Sequence, residues 1–130
     1  GYIKVTVQTA DIWRSNGMSS TVYKLNGNFT KRISEVSALL KSSINAELIS
    51  ETCRTAGNAE IILLNFEKFY FRNGSYAGLT VMLTESEESQ TADVTGFGGG
   101  EGLLNISWGA NFEFAEKAAE ILERCGFARE

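Results

Sequence analysis

The residues with the most chemical potential lie between positions 85 and 108. The segment 96-GFGGGEG-102 holds five glycines in seven residues and runs into the apolar stretch 103-LLNISWG-109. Glycine amides free to adopt positive φ can form a nest for an anion or a lip over a ligand. Each glycine costs about 0.5–1 kcal/mol relative to alanine in regular structure, so five together imply that the backbone path itself is needed. Asp93 stands just before them. Its carboxylate could join Glu67, Lys68 or Arg72 in a general acid–base set, although strand carboxylates more often lie on a solvated sheet face. The candidate ligand-binding set is Phe97, Gly98, Gly99, Gly100, Trp108 and Asp93, with no residue assigned a catalytic role.

The familiar glycine motifs do not fit. A phosphate loop of the Walker type needs Gly-Lys-Ser/Thr after its spacer, and no lysine follows here. A dinucleotide fingerprint needs a third glycine where Glu101 stands and a helix where the pattern reads as a strand. A wide hairpin or bulge is the plainer account of the glycines. Glu85, Glu87, Glu88, Asp93 and Glu101 flank the segment with no lysine or arginine among them. A guest there is expected to be neutral or cationic.

Inventory removes other chemistries. Histidine is absent, which excludes a histidine base or triad and leaves no cofactor or metal motif. Cys53 and Cys125 belong to no metal-binding spacing and read as free, buried thiols. Net charge is −4, with a local balance of +4 over residues 1–41 and −8 over the rest. Without a cluster of lysine and arginine the chain is not expected to bind nucleic acid. No apolar run approaches the roughly 20 residues of a membrane span, so no membrane partner is expected either. The first residue is Gly1 rather than Met, which reads as a processed or engineered end, and a removed signal peptide is one origin for it.

These residues must be held by a single domain over 1–130, since the chain has no proline, linker or repeat. Residues 2–8 alternate apolar and polar as a half-buried strand, and 19–25 read as a second. Phe29, Ile33, Val36, Leu40 and Ile44 form one stripe of a helix over 28–44, with Asn28 as its N-cap. Strands are expected at about 46–54, 59–72, 76–85, 90–97 and 102–108. Their turns are 55-TAGN-58, 72-RNGS-75, 86-SEES-89 and the glycine segment, with Asn73-Gly74 supplying a type I′ hairpin. Ile62, Leu64 and Phe66 share one parity while Phe69 and Phe71 take the other, which a bulge near Glu67–Lys68 would reconcile. The last helix has Asn111 as N-cap, Phe114, Ala118, Ile121, Leu122 and Cys125 on its buried face, and Gly126 as the residue that ends it. The sum is an α+β fold: a mainly antiparallel sheet of about six or seven strands with two helices on one face, a two-layer sandwich whose outline could be a helix grip.

Gly99-Gly100, Leu104-Asn105-Ile106-Ser107-Trp108-Gly109 and Asn111-Phe112-Glu113-Phe114 together resemble a family of short uncharacterised bacterial proteins, a domain of unknown function. The resemblance covers the last third of the chain best, and residues 2–25 depart from it. It implies a bacterial, cytoplasmic origin and carries no activity with it.

The functional expectation is a small non-enzymatic binding module for a neutral or apolar ligand or a protein partner. Trp13, Tyr70, Tyr76, Phe97 and Trp108 could line an apolar pocket between sheet and helices. The competing expectations are a carboxylate-based enzyme near the glycine segment and a structural domain that pairs with a second copy as a homodimer.

Overall fold

The computed structural model describes residues 20–71, 74–99 and 109–130. The expected strands at 2–8 and 102–108, with Trp13, Arg72, Asn73, Gly100, Glu101 and Trp108, lie outside the described residues. Strand β1 is Ser20–Asn26, helix α1 Ile33–Ser43, and strands β2, β3, β4 and β5 are Glu47–Ala56, Ala59–Tyr70, Ser75–Glu85 and Gln90–Gly98. Helix α2 spans Ala110–Arg124, and the two-residue strand β6 is Ala128–Arg129. Among the described residues the sheet has six strands in the order β2-β3-β4-β5-β1-β6, every pairing antiparallel. β2 to β5 follow one another by hairpins, while β1 returns beside β5, the last strand before α2. The five expected strands that fall on described residues hold to within two residues at each end, and β6 is an addition.

The sheet has one oily face. Ile62, Leu64 and Phe66 of β3, Ala77, Leu79, Val81 and Leu83 of β4, and Ala92 and Val94 of β5 are buried on it. Helix α2 lies over β4, β5 and β1, and α1 lies over β3 and β4 against α2. The core closes with Ile33, Val36 and Leu40 from α1 and Phe114, Ala118, Ile121 and Leu122 from α2. Gly96 is what lets α2 come this close: a Cβ there would run into the carbonyl oxygen of Asn111. The opposite face carries a polar ladder, in which Thr80 donates to Asn65 at 2.8 Å and Asn65 donates to Ser50 at 2.9 Å.

Helix α1 begins later than its apolar stripe suggests. The side-chain oxygen of Asn28 accepts from the Thr30 amide at 3.0 Å, making a local turn instead of a helix cap. Phe29 sits at φ 62 ahead of the helix and is left exposed. The cap comes from across the fold: the buried Glu85 carboxylate accepts from the Ile33 amide at 3.2 Å and from Arg32 Nε at 2.5 Å. Gln90 completes the joint, donating to Glu85 at 2.6 Å and to the Lys31 carbonyl at 2.7 Å while accepting from the Phe29 amide at 3.0 Å.

Three further expectations need correction. Asn111 is inside α2 rather than capping it, because Gly109 at φ 88 takes the N-cap position. The β3–β4 ladder runs unbroken from Glu60↔Glu85 to Tyr70↔Ser75, so there is no bulge at Glu67–Lys68 in it. The register shift is in β2, between Leu48 and Ser50. Phe69 keeps its parity because it packs on the open face, its ring centroid 5.1 Å from Phe71 and 5.0 Å from Tyr76. The ladder ends at Tyr70↔Ser75 and Gly74 has a φ of 65, while Asn73, the other residue of the expected turn, lies outside the described residues. Both cysteines are free, but Cys53 is exposed on β2 and only Cys125 is buried.

The C-terminus is fastened as the sequence implies and then further. Gly126 at φ 95 ends α2, and the Phe127 amide donates to the Leu122 carbonyl at 3.1 Å, the longer bond of a Schellman turn. Arg129 of β6 donates to Glu116 at 2.7 and 3.1 Å and stacks 4.6 Å from the Tyr23 ring, whose hydroxyl also donates to Glu116. These hydrogen bonds hold the Glu116 carboxyl below its ordinary range, Arg129 contributing most.

Replacing Glu85 with alanine leaves the Ile33 amide and the Gln90 amide group without their buried acceptor. Chemical denaturation is expected to show a loss of roughly 2–3 kcal/mol, against less than about 0.5 kcal/mol for exposed Glu88→Ala. Equal effects would show that Glu85 does not hold the joint.

Candidate functional site

β5 distributes the expected site residues to different places. Asp93 and Phe97 project from the open face, opposite Met82 and Gly78 in the register. The Phe97 ring lies over Gly78, where any Cβ would collide with it. Asp93 pairs across with Lys24 on β1. Partial burial pushes its carboxyl above the ordinary value, and Lys24 offsets part of that. Four residues of strand separate Asp93 from Phe97 by about 13 Å, so the two do not share a site.

Gly98 and Gly99 have φ of 78° and 76° at the end of β5. The Gly99 amide donates to the Tyr76 carbonyl at 2.9 Å, and a Cβ on Gly99 would lie 2.6 Å from the Ala110 methyl. These two glycines therefore form a seam between β4, β5 and the first turn of α2. Asn111, which the sequence offered only as a cap, spans that seam: it accepts from Thr21 Oγ1 at 2.6 Å and donates to the Gly98 carbonyl at 3.3 Å.

Of the acid–base partners offered for Asp93, Arg72 lies outside the described residues and Lys68 is turned to the other face. Lys68 is opposite Ala77, on the helix-covered face, whereas Asp93 is on the open face. The aromatic set is divided too: Tyr70 points toward Phe114 beneath the helices, and Tyr76 and Phe97 point away from them. Phe69, Phe71, Tyr76 and Phe97 instead make an exposed aromatic patch at one end of the open face.

Among the described residues, two clefts flank the helix layer, one at each end. The first, of about 400 Å³, is bordered by Phe29, Arg32, Asn58, Glu60, Glu85 and Glu87. Its buried acid, Glu85, is already saturated by Arg32, Ile33 and Gln90. The second, of about 370 Å³, opens between the end of α1 (Ser43, Ile44, Asn45), the end of β3 (Lys68, Tyr70) and the start of α2 (Glu113, Phe114, Lys117). Ile44 and Phe114 are buried in its floor, and Tyr70 meets Phe114 edge to face at 6.2 Å. The Lys68 ammonium stands 5.3 Å from the centre of the Tyr70 ring.

This second cleft shares its end of the sheet with Gly98 and Gly99. The acidic turn 86–89 does not. β5 is nine residues long, so Glu85, Glu87 and Glu88 lie about 30 Å from the glycines. Three of the five acids read along the chain as neighbours of the glycines are thus at the far end of the sheet, while Asp93 is mid-strand and Glu101 lies outside the described residues.

Sequence reasoning passed over Lys117 and offered Lys68 only as an acid–base partner for Asp93. The available signal was parity: Lys68 continues the buried series Ile62, Leu64, Phe66, where a charge needs a reason. Among the described residues no group of three or more cysteines and carboxylates is placed to hold a metal. No described helix is long and apolar enough to cross a membrane. Residues 18–126 match the family model described as a family of unknown function (DUF6054). No curated protein and no solved structure matches the chain.

The glycine seam yields a test of its structural role. Gly74→Ala meets open space at φ 65 and is expected to cost about 1–2 kcal/mol from backbone conformation alone. Gly99→Ala adds a collision with Ala110, so its loss in chemical denaturation should be clearly larger. Equal losses would mean that the seam is loose.

Proposed function

The chain belongs to this family of unknown function, and we propose that it is a small non-enzymatic binding module whose ligand enters the cleft between α1, β3 and α2. One observation carries the reading. The cleft combines a buried apolar floor, Ile44 and Phe114, with a rim of polar groups from three separate elements. A small-molecule site needs that combination: apolar area for affinity and a few convergent polar groups for orientation. The cleft at the other end offers less, because the polar groups at its centre are committed to holding α1.

The geometry favours binding over catalysis. Asp93 has Lys24 and Met82 as its cross-strand neighbours on the open face. Glu85 is consumed by capping. The hydroxyl beside Glu85, that of Ser86, is engaged in the 86–89 turn, where it accepts from the amides of Glu88 and Ser89.

A screen by thermal shift against small metabolites tests the proposal, since a ligand of the native state raises its melting temperature. Asn45→Trp fills the cleft mouth from an exposed position, and Glu87→Trp does the same at the opposite end. A ligand that stabilises the wild type is expected to lose its effect in Asn45→Trp and keep it in Glu87→Trp. The reverse pattern, or no stabilising ligand, would overturn the assignment.

A second reading rests on the aromatic patch. Phe71 is 90% exposed and Tyr76 59% exposed, an uncommon concentration of bare aromatic surface. Pairing of two copies through this face is expected to appear as concentration-dependent mass in light scattering and to vanish in Phe71→Ser. A monomer at all concentrations would remove this reading and leave the first.

A further inference from the structure

We infer that the guest of the α1–β3–α2 cleft is a small organic anion, a carboxylate or phosphate group on an apolar or aromatic body, held between Lys68 and Lys117. The inference rests on the reading that this cleft is the binding site and names the chemistry it would accept. On β3 the helix-facing series runs Ile62, Leu64, Phe66, Lys68, Tyr70, so Lys68 brings a cation to a face otherwise given over to the core. On the facing wall α2 presents Lys117 one turn after Glu113. Among the described residues neither lysine has an ion-pair partner.

The charged lining of this partly apolar cavity is two ammonium groups against the single Glu113 carboxylate, so one positive charge is left for solvent or a guest of opposite charge to offset. The helix ends decide where that charge should sit. The last turn of α1, at Ser43, presents the negative end of its dipole and disfavours an anion there. The first turn of α2, at Glu113 and Phe114, presents a positive end. The anionic group therefore belongs on the β3–α2 side, between the two ammonium groups. The apolar body then extends over Ile44, Tyr70 and Phe114. Nearby, Ser75 pairs across from Tyr70 with a buried hydroxyl that has no hydrogen-bond partner, so this end of the sheet carries unmet polar capacity. A volume of about 370 Å³ is at the small end for ligand pockets, which suits a guest of one ring or a short chain.

Calorimetric titration with benzoate, phenyl phosphate and benzyl alcohol separates the possibilities. Both anions are expected to bind, and the neutral alcohol of similar shape should bind at least about tenfold more weakly. Anion affinity should fall as salt rises. Lys117→Gln should weaken the anions about tenfold and leave the alcohol unchanged, while Lys117→Arg restores most of the loss. The double variant Lys68→Gln, Lys117→Gln should abolish the preference for charge, and Lys117→Gln alone suffices if the double variant folds poorly. Preference for benzoate over phenyl phosphate, or the reverse, identifies which anion the lysines favour, and either order supports the inference. Equal binding of alcohol and benzoate, or benzoate affinity untouched by Lys117→Gln, would overturn it while leaving the cleft as a binding site. Binding of all three probes unaffected by Asn45→Trp would overturn both readings.

Discussion

The Glu85 carboxylate occupies the point where three parts of the chain have to meet. β1 lies at one side of the sheet and β2 at the far edge, so the connection between them must cross the whole helix layer. α1 makes that crossing, and its first turn starts with unpaired amides that need an acceptor. The residues before it do not provide one: Arg32 holds the N-cap position and makes no side-chain cap. Glu85, from the end of a strand in mid-sheet, accepts from that turn and from Arg32, while Gln90 ties down the approach from Gly27 to Lys31. A buried charge with fully matched partners is held to one geometry, because every alternative leaves it unpaired at a cost of several kcal/mol. The start of α1 is fixed by it. The other end of the same helix then supplies a wall of the α1–β3–α2 cleft.

The second organising constraint is the asymmetry of the sheet. One face is filled with leucine, valine and isoleucine and covered; the other mixes threonine, asparagine and aromatic rings and is not. Alternation along a strand sends neighbouring residues to opposite faces, so residues close in sequence part company in space. Glu67 and Lys68 illustrate this, as do Tyr70 and Phe71. Helix packing then draws together residues far apart in the chain, which is how Ile44, Lys68 and Lys117 come to border one cavity.

That contrast explains what could be read from the residues alone. Period two and period 3.6 located β1 to β5 and both helices, because each depends on neighbours within a few positions. Gly57, Gly74 and Gly126 marked turns for the same local reason: each takes a positive φ. The α1 boundary was not readable, since Asn28 satisfies every local criterion for a cap and loses to a carboxylate 52 residues from Ile33. The position of Glu85, Glu87 and Glu88 relative to the glycines was not readable either, because a nine-residue strand carries them to the opposite end of the sheet. Of the candidate residues, Gly98 and Gly99 reach the end of the sheet where the second cleft lies. Asp93 and Phe97 leave by the other face.

The irregularity in β2 has a bearing on the company this sheet keeps. Among the described residues β2 is a ten-residue outer strand with no strand on its far side, the kind of border onto which foreign strands add themselves. The slip between Leu48 and Ser50 breaks the even spacing of that border, and Glu47, Glu51 and Arg54 stud it with charge. A visiting strand would find its donors and acceptors out of step after a few residues. At the opposite border β6 is only two residues long. The sheet is thus blunted on both sides against lateral growth, by misalignment on one and by brevity on the other.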